Sequence, residues 1–171
     1  MRSGRSRVVK QTSFGRMPSA PAGMRSQYAA LCWRLEKGKV RVLVITSRGT
    51  GRWIIPKGWP MADRGPHEAA AQEAWEEAGV LGKASDRCLG LYTYDKVEAK
   101  ERVPCAVMVF GLKVKTLVQK FPEAGQRRRR WVSRKKAAKL VAEPELARLL
   151  RGFDPRKTGK GVKTRKPKAS T

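Results

Sequence analysis

Between Gly58 and Val80 the chain reads GWPMADRGPHEAAAQEAWEEAGV, a loop punctuated by proline and glycine that runs directly into a helical segment. Gly65 suits the N-cap, Pro66 the first helical position, and Glu68 the first turn, where the helix dipole favours an acid. Glu73, Glu76 and Glu77 then crowd into five residues. At about 100° per residue these three fall within an arc of roughly 100°, with Ala71, Ala74, Trp75 and Ala78 on the opposite, apolar face. Any fold built on this segment must bury the alanine face and compensate the carboxylate face, because like charges three and four apart repel.

Two kinds of partner can compensate it. A hard divalent cation such as Mg²⁺ takes carboxylate oxygens and keeps open positions for water and phosphate. Alternatively, the face is solvated and paired with arginines, of which this chain has no shortage: 39 Lys and Arg stand against 14 Asp and Glu, for a net charge of +25. Residues 1–26 hold six basic side chains and no acid, and residues 154–171 seven basic side chains and one Asp, which leaves +13 on residues 27–153. Both terminal segments are rich in Gly, Ser, Pro and charge, a composition that cannot bury enough apolar area to offset ordering entropy. They read as basic, disordered arms around one domain, 27–153. Such arms suit phosphate-rich partners, nucleic acid included.

Within 27–153 the apolar pattern alternates between periods. QYAALCWRL and KVRVLVIT read as strands, RWIIP as a short third, HEAAAQEAWEEAG as the helix, and CLGLYTYDK and VPCAVMVFGLKVK as two more strands. RRRRWV reads as a last strand, Ser133 as the cap of RKKAAKLV, and EPELARLLRGF as a closing helix. Short connections mixed with separate helices predict an α/β (α+β) domain, a mixed sheet packed between helices.

On these residues the chain resembles the Nudix hydrolase family. Gly58, Glu73, Ala74, Glu76, Glu77, Gly79 and Val80 fall on the spacing of the Nudix box, G-x5-E-x7-R-E-U-x-E-E-x-G-U with U aliphatic. Arg64 stands where the pattern has its first Glu, and Gln72 where it has Arg. With ITSRGTGRWIIPKGWP and RRRRWV, the sequence is most similar to the diphosphoinositol polyphosphate phosphohydrolase branch and its bacterial relatives, although Glu143 stands where some relatives carry a basic residue.

The resemblance implies a Nudix-type α/β/α sandwich and a Mg²⁺-dependent pyrophosphohydrolase, with Mn²⁺ as a substitute. Glu73, Glu76 and Glu77 would hold metal, Glu73 and Glu77 being the catalytic pair. Arg48, Arg52, Lys57, Arg127 and Arg129 would bind a polyphosphorylated small molecule, a diphosphoinositol polyphosphate or a dinucleoside polyphosphate. One further acid from outside the box is expected, with Glu98, Glu101 and Glu123 all in suitable loops. The rival readings are a nucleic-acid-binding protein on the same scaffold with reduced catalysis, and an enzyme acting on RNA 5′ ends.

The other signals are weaker. Cys32, Cys88 and Cys105 form no CxxC pair and read as free thiols of a reducing compartment, and the lone His67 has no ligand-spaced neighbour. A cytoplasmic location follows. The Arg- and Ser-rich N-terminus also fits a mitochondrial transit peptide, whose protein would reside in the matrix. No apolar run approaches the roughly 20 residues of a membrane span.

Overall fold

The computed structural model describes residues 19–157; the outer parts of both arms, 1–18 and 158–171, lie outside the described residues. The elements are β1 (Arg25–Glu36), β2 (Lys39–Thr46), β3 (Trp53–Ile54), β4 (Lys57–Gly58), α1 (Pro66–Ala78), β5 (Val80–Glu98), β6 (Glu101–Leu117), β7 (Arg129–Ser133), α2 (Arg134–Leu140) and α3 (Pro144–Gly152). The strands form one mixed sheet in the order β3-β2-β1-β6-β5, with β4 added to β1 and β7 to β2. β1 and β6 run parallel, and the remaining pairs are antiparallel.

Both faces of this sheet are covered, so its central strands read as continuous apolar runs. Alternate residues feed two separate cores. Ala29, Leu31, Val42, Val44, Val107 and Val109 pack with Ala137, Leu146 and Leu150 of α2 and α3. Ala30, Cys32, Leu43, Ile45, Met108 and Phe110 pack with Ala70, Ala74 and Ala78 of α1. The result is the expected α/β/α sandwich.

The helices obey their sequence signals. Gly65 is the N-cap of α1, with Pro66 next, and Gly79 ends it in the left-handed conformation (φ 67°), its N–H bonded to Ala74 and Trp75 carbonyls. A side chain there would meet Phe121 and the Val118 carbonyl within 3 Å, so glycine is required twice over. Ser133 accepts the Lys136 N–H and caps α2.

Three expectations are revised. β1 begins at Arg25 and takes in two residues read as arm; at the other end Arg156 bonds the Gly38 carbonyl and pairs with Asp154. β5 begins at Val80, eight residues before the expected strand, because the long β6 supplies hydrogen-bond partners for a stretch that has no alternation of its own. The apolar face of α1 is also rotated: Glu77 is buried with the alanines, whereas Ala71 and Trp75 are only half-buried. No helix among the described residues is long and apolar enough to cross a membrane.

Candidate active site

The loop before α1 and the C-terminal half of α1 meet at a cavity of about 600 Å³. Glu73, Glu77 and Glu123 line it together with Arg48, Arg52, Lys57, Lys96 and Arg127, so both signs of charge share one space. β4 delivers the backbone to this point by pairing Tyr28 with Gly58 and Ala29 with Lys57. Gly58 is there for a steric reason: a Cβ on it would lie 2.1 Å from Cδ of Glu73. The Glu73 carboxylate therefore packs on a bare backbone.

Glu77 is held from two sides. The Lys57 N–H donates to its Oε2 at 3.4 Å, and Nη2 of Arg127 lies 3.4 Å from its Oε1. The same Nη2 is 3.2 Å from Oε1 of Glu123, so one guanidinium nitrogen bridges two carboxylates. Arg127 also donates to the Thr46 carbonyl, and its side chain is only 7% exposed; its Nε is buried and unpartnered. Arg48 reaches Glu123 from the outer side at 3.2 Å.

Burial dominates the electrostatics. It pushes the Glu73 carboxyl up to about 7, with repulsion from Glu77 and Glu76 adding to the effect. It pushes Glu77 up to about 7 as well, against the opposing pull of Arg127 and Lys57. Burial lowers Lys57, and the nearby Glu77 and Glu143 carboxylates resist that shift. Two glutamates at this balance are short of positive charge. Their all-oxygen donor set, facing a polar cavity, fits a hard divalent cation.

The expected residues divide into three groups. Glu73, Glu77, Arg48, Arg52, Lys57 and Arg127 come together in the cavity. Among the outside acids it is Glu123 that joins them; Glu98 pairs with Lys96 and Arg25, and Glu101 is exposed on the hairpin. Two residues go elsewhere. The Glu76 carboxylate accepts from Gln72 at 3.0 Å and does not line the cavity, and among the described residues no three His, Cys, Asp or Glu side chains converge as a ready metal cage. Arg129 donates to the carbonyls of Ala78 and Val118 at 2.9 Å each, which sets a cation on the negative end of the α1 dipole and takes it out of the cavity.

Arg127 also changes meaning. It was expected to contact substrate, but its guanidinium is already spent on Glu77 and Glu123, so its first role is to hold carboxylates. One residue escaped sequence reasoning as a member of the site's surroundings: Glu143, N-terminal to α3, is buried with Oε1 3.9 Å from Arg52 and Oε2 unpartnered. Its sequence signal is the departure from those relatives that carry a basic residue there, which gives no hint that it is buried beside Arg52.

Comparison with known proteins agrees with this geometry. The NUDIX domain model matches residues 25–153. The chain is 34% identical over 123 residues to diphosphoinositol polyphosphate phosphohydrolase 3-alpha of Mus musculus, covering 71% of each protein. It is 34% identical over 119 residues to Nudix hydrolase 12, mitochondrial, of Arabidopsis thaliana, covering 67% of this chain and 59% of that one. Among solved structures, the C. elegans Ap4A hydrolase binary complex shares the fold with a TM-score of 0.59 at 21% identity, over 80% of this chain and 100% of the other. The chain belongs to the NUDIX family. Within it, the chain is a Nudix pyrophosphohydrolase similar to the diphosphoinositol polyphosphate phosphohydrolases.

Proposed function

We propose that the protein is a Mg²⁺-dependent hydrolase of a diphosphate bond in a densely anionic substrate, a diphosphoinositol polyphosphate or a dinucleoside polyphosphate. The observation that carries this reading is the single cavity in which Glu73, Glu77 and Glu123 adjoin Arg48, Arg52, Lys57 and Lys96. The name of the mouse relative supports the inositol class.

Glu73 and Glu77 are the residues that would hold the metal, with Glu123 adjoining. When bound, Mg²⁺ supplies charge withdrawal from a phosphoryl oxygen and a lowered pKa for an attacking water. Glu73, less buried than Glu77 and facing the same cavity, takes the proton of that water on a carboxylate oxygen. Arg48, Arg52 and Lys57 receive the non-bridging phosphate oxygens and keep charge from building up as the P–O bond breaks. Arg127 keeps Glu77 and Glu123 in one orientation throughout. The family uses divalent cations, and Mn²⁺ is proposed as an acceptable substitute. We place the protein in the cytoplasm on its three free thiols, with the mitochondrial name of the plant relative supporting the matrix as the alternative.

The test is Glu77→Gln, which keeps the shape and removes the charge. Mg²⁺-dependent phosphate release, followed across a panel of diphosphates, should fall by a factor on the order of 100 or more with the preferred substrate. Undiminished turnover would remove Glu77 from the metal site. A nucleotide sugar preferred over both polyphosphates at low salt would overturn the substrate assignment alone.

A further inference from the structure

Two clefts lie side by side at the end of the β5–β6 hairpin remote from the active-site cavity. The larger, about 580 Å³, has Trp33, Leu89 and Phe153 as apolar lining, and Lys83, Arg87 and Lys113 among its charged residues. The smaller, about 400 Å³, is lined by Gly82, Lys83, Lys113, Val114 and Lys115. They share Lys83 and Lys113, and neither shares a residue with the active-site cavity. Ala84 in the larger cleft and Tyr94 in the active-site cavity pair with Leu112 and Cys105 of β6, which sets them a strand length of roughly 23 Å apart.

The charges here are arranged at a cost to the fold. Lys83 and Lys113 are direct cross-strand partners, and like charges placed opposite one another destabilise a sheet. Among the described residues Lys83, Arg87, Lys113 and Lys115 form no ion pair, and all four are exposed. Asp86 lines the larger cleft, and no carboxylate lines the smaller. Protection of a sheet edge accounts for a lysine on β5, which is an edge strand. It does not account for Lys113, which is flanked by Trp33 of β1 and Lys83 of β5; Lys115 lies past the end of the β1 pairing and extends the same row of cations.

The larger cleft adds flat apolar surface to this charge. The Trp33 and Phe153 rings lie 6.0 Å apart and tilted by 60°, with Lys113 Nζ 5.7 Å from the Trp33 ring. Cations interleaved with an aromatic floor suit a ligand that alternates phosphates with planar rings. Two consecutive clefts joined through the same lysines suit a polymer of such units, since a single nucleotide would fill one cleft and leave Lys115 unused. We propose that the Lys83–Lys113–Lys115 ladder and the Trp33–Phe153 cleft form a binding track for single-stranded nucleic acid, separate from the hydrolytic site.

The test uses the full chain in chelator, with a labelled oligouridine of about 12 nucleotides, within the usual range of single-strand site sizes, titrated across salt concentrations. The double variant Lys83→Ser/Lys113→Ser should bind at least 10-fold more weakly, and its log–log salt dependence should be shallower by about 1.4, from about 0.7 per lost phosphate contact. Trp33→Leu should cost about 10-fold with the salt slope retained, the signature of a stacking contact. Mg²⁺-dependent hydrolysis by the lysine variant should match the parent. Unchanged affinity and slope in the lysine variant would overturn the proposal. So would inorganic polyphosphate displacing the oligouridine from parent and Trp33→Leu proteins alike, which would make the track a general polyanion surface. The lysines are exposed, so their result decides the matter even if Trp33→Leu fails to fold.

Discussion

The two ends of the β5–β6 hairpin treat charge in opposite ways. Near the tip, Lys96 lies 2.9 Å from Glu98, Arg25 4.0 Å from the same residue, and Arg102 3.8 Å from Asp95. At the root, Lys83 faces Lys113 across the ladder, and among the described residues no acid is in ion-pair range of either. A chain with 39 basic and 14 acidic residues cannot pair every cation, so the placement of its few acids carries information. Several gather at the candidate cavity, where Arg127 bridges Glu77 and Glu123, while at the far end of the same hairpin Asp86 lines a cleft without forming an ion pair among the described residues.

The largest expected effect comes from cutting the most buried of these pairings. Arg127→Met leaves the buried Glu77 beside the partly buried Glu123 without the cation between them, and removing one member of such an ion cluster costs about 3 kcal/mol. Chemical denaturation of the chelated protein should show that loss, and Mg²⁺ should return part of it by replacing the missing cation. A variant as stable as the parent would mean that Arg127 does not hold the two carboxylates together.

Gly58→Ala sharpens the same side of the comparison with less damage to the fold. The added Cβ would overlap the end of the Glu73 side chain, which can swing away, so stability should change little. The carboxylate would then be displaced by about 1 Å or more, enough to lower kcat on the order of 100-fold. Activity within twofold of the parent would show that the position of Glu73 against the backbone is unimportant.

A smaller effect follows from protons. Glu73 and Glu77 are raised in the folded protein from 4.5 to about 7, so between those values the folded state binds more protons than the unfolded chain. Stability against unfolding therefore rises as pH falls through that window, and the penalty is fully present above about 7. The metal-free protein should melt a few degrees higher at about pH 5.5 than at about pH 8, relative to Glu73→Gln/Glu77→Gln measured in parallel. Saturating Mg²⁺ should flatten the difference, since it stabilises the ionised carboxylates. A parent curve that tracks the double variant at both pH values would contradict the burial of these groups.

Much of the fold and the core of the site were legible because periodic signals were strong. The apolar runs of β1, β2 and β6 and the Gly65–Pro66 start and Gly79 end of α1 each have one dominant physical reading, while the spacing of Glu73 and Glu77 points to the site only through the family resemblance. What escaped depends on contacts made far along the chain. Val80–Arg87 has glycine, charge and bulges instead of alternation, and becomes a strand only because β6 extends opposite it. Arg127 and Arg129 were assigned together to the substrate, but β7 starts at Arg129 and Arg127 lies in the loop before it, so the two side chains serve different neighbours. Glu76 was counted as a metal ligand on helical geometry, and the side chain of Gln72, one turn earlier, draws it aside. Choosing Glu123 over Glu98 and Glu101 required the loop at 118–128 to be seen folded over α1, where the Glu123 N–H bonds the Glu76 carbonyl.

The smallest expected change in stability comes from supplying the lysine ladder with an acid. Lys83→Glu turns a like-charge cross-strand pair with Lys113 into an opposite-charge pair, which should stabilise the sheet by about 0.5 kcal/mol. The substitution lies outside the cavity of Glu73 and Glu77, so Mg²⁺-dependent hydrolysis should be unaltered. If the root of the hairpin is merely a solvated surface, stabilisation is the whole outcome, and oligouridine binding stays as it was. If the lysine ladder binds phosphates, the same variant becomes more stable and binds the oligomer more weakly, a trade that a surface without function does not make. Denaturation midpoint and oligonucleotide affinity, measured on one preparation, separate the two ends of the hairpin into one where cations are paired with acids and one where they are kept unpaired for a ligand.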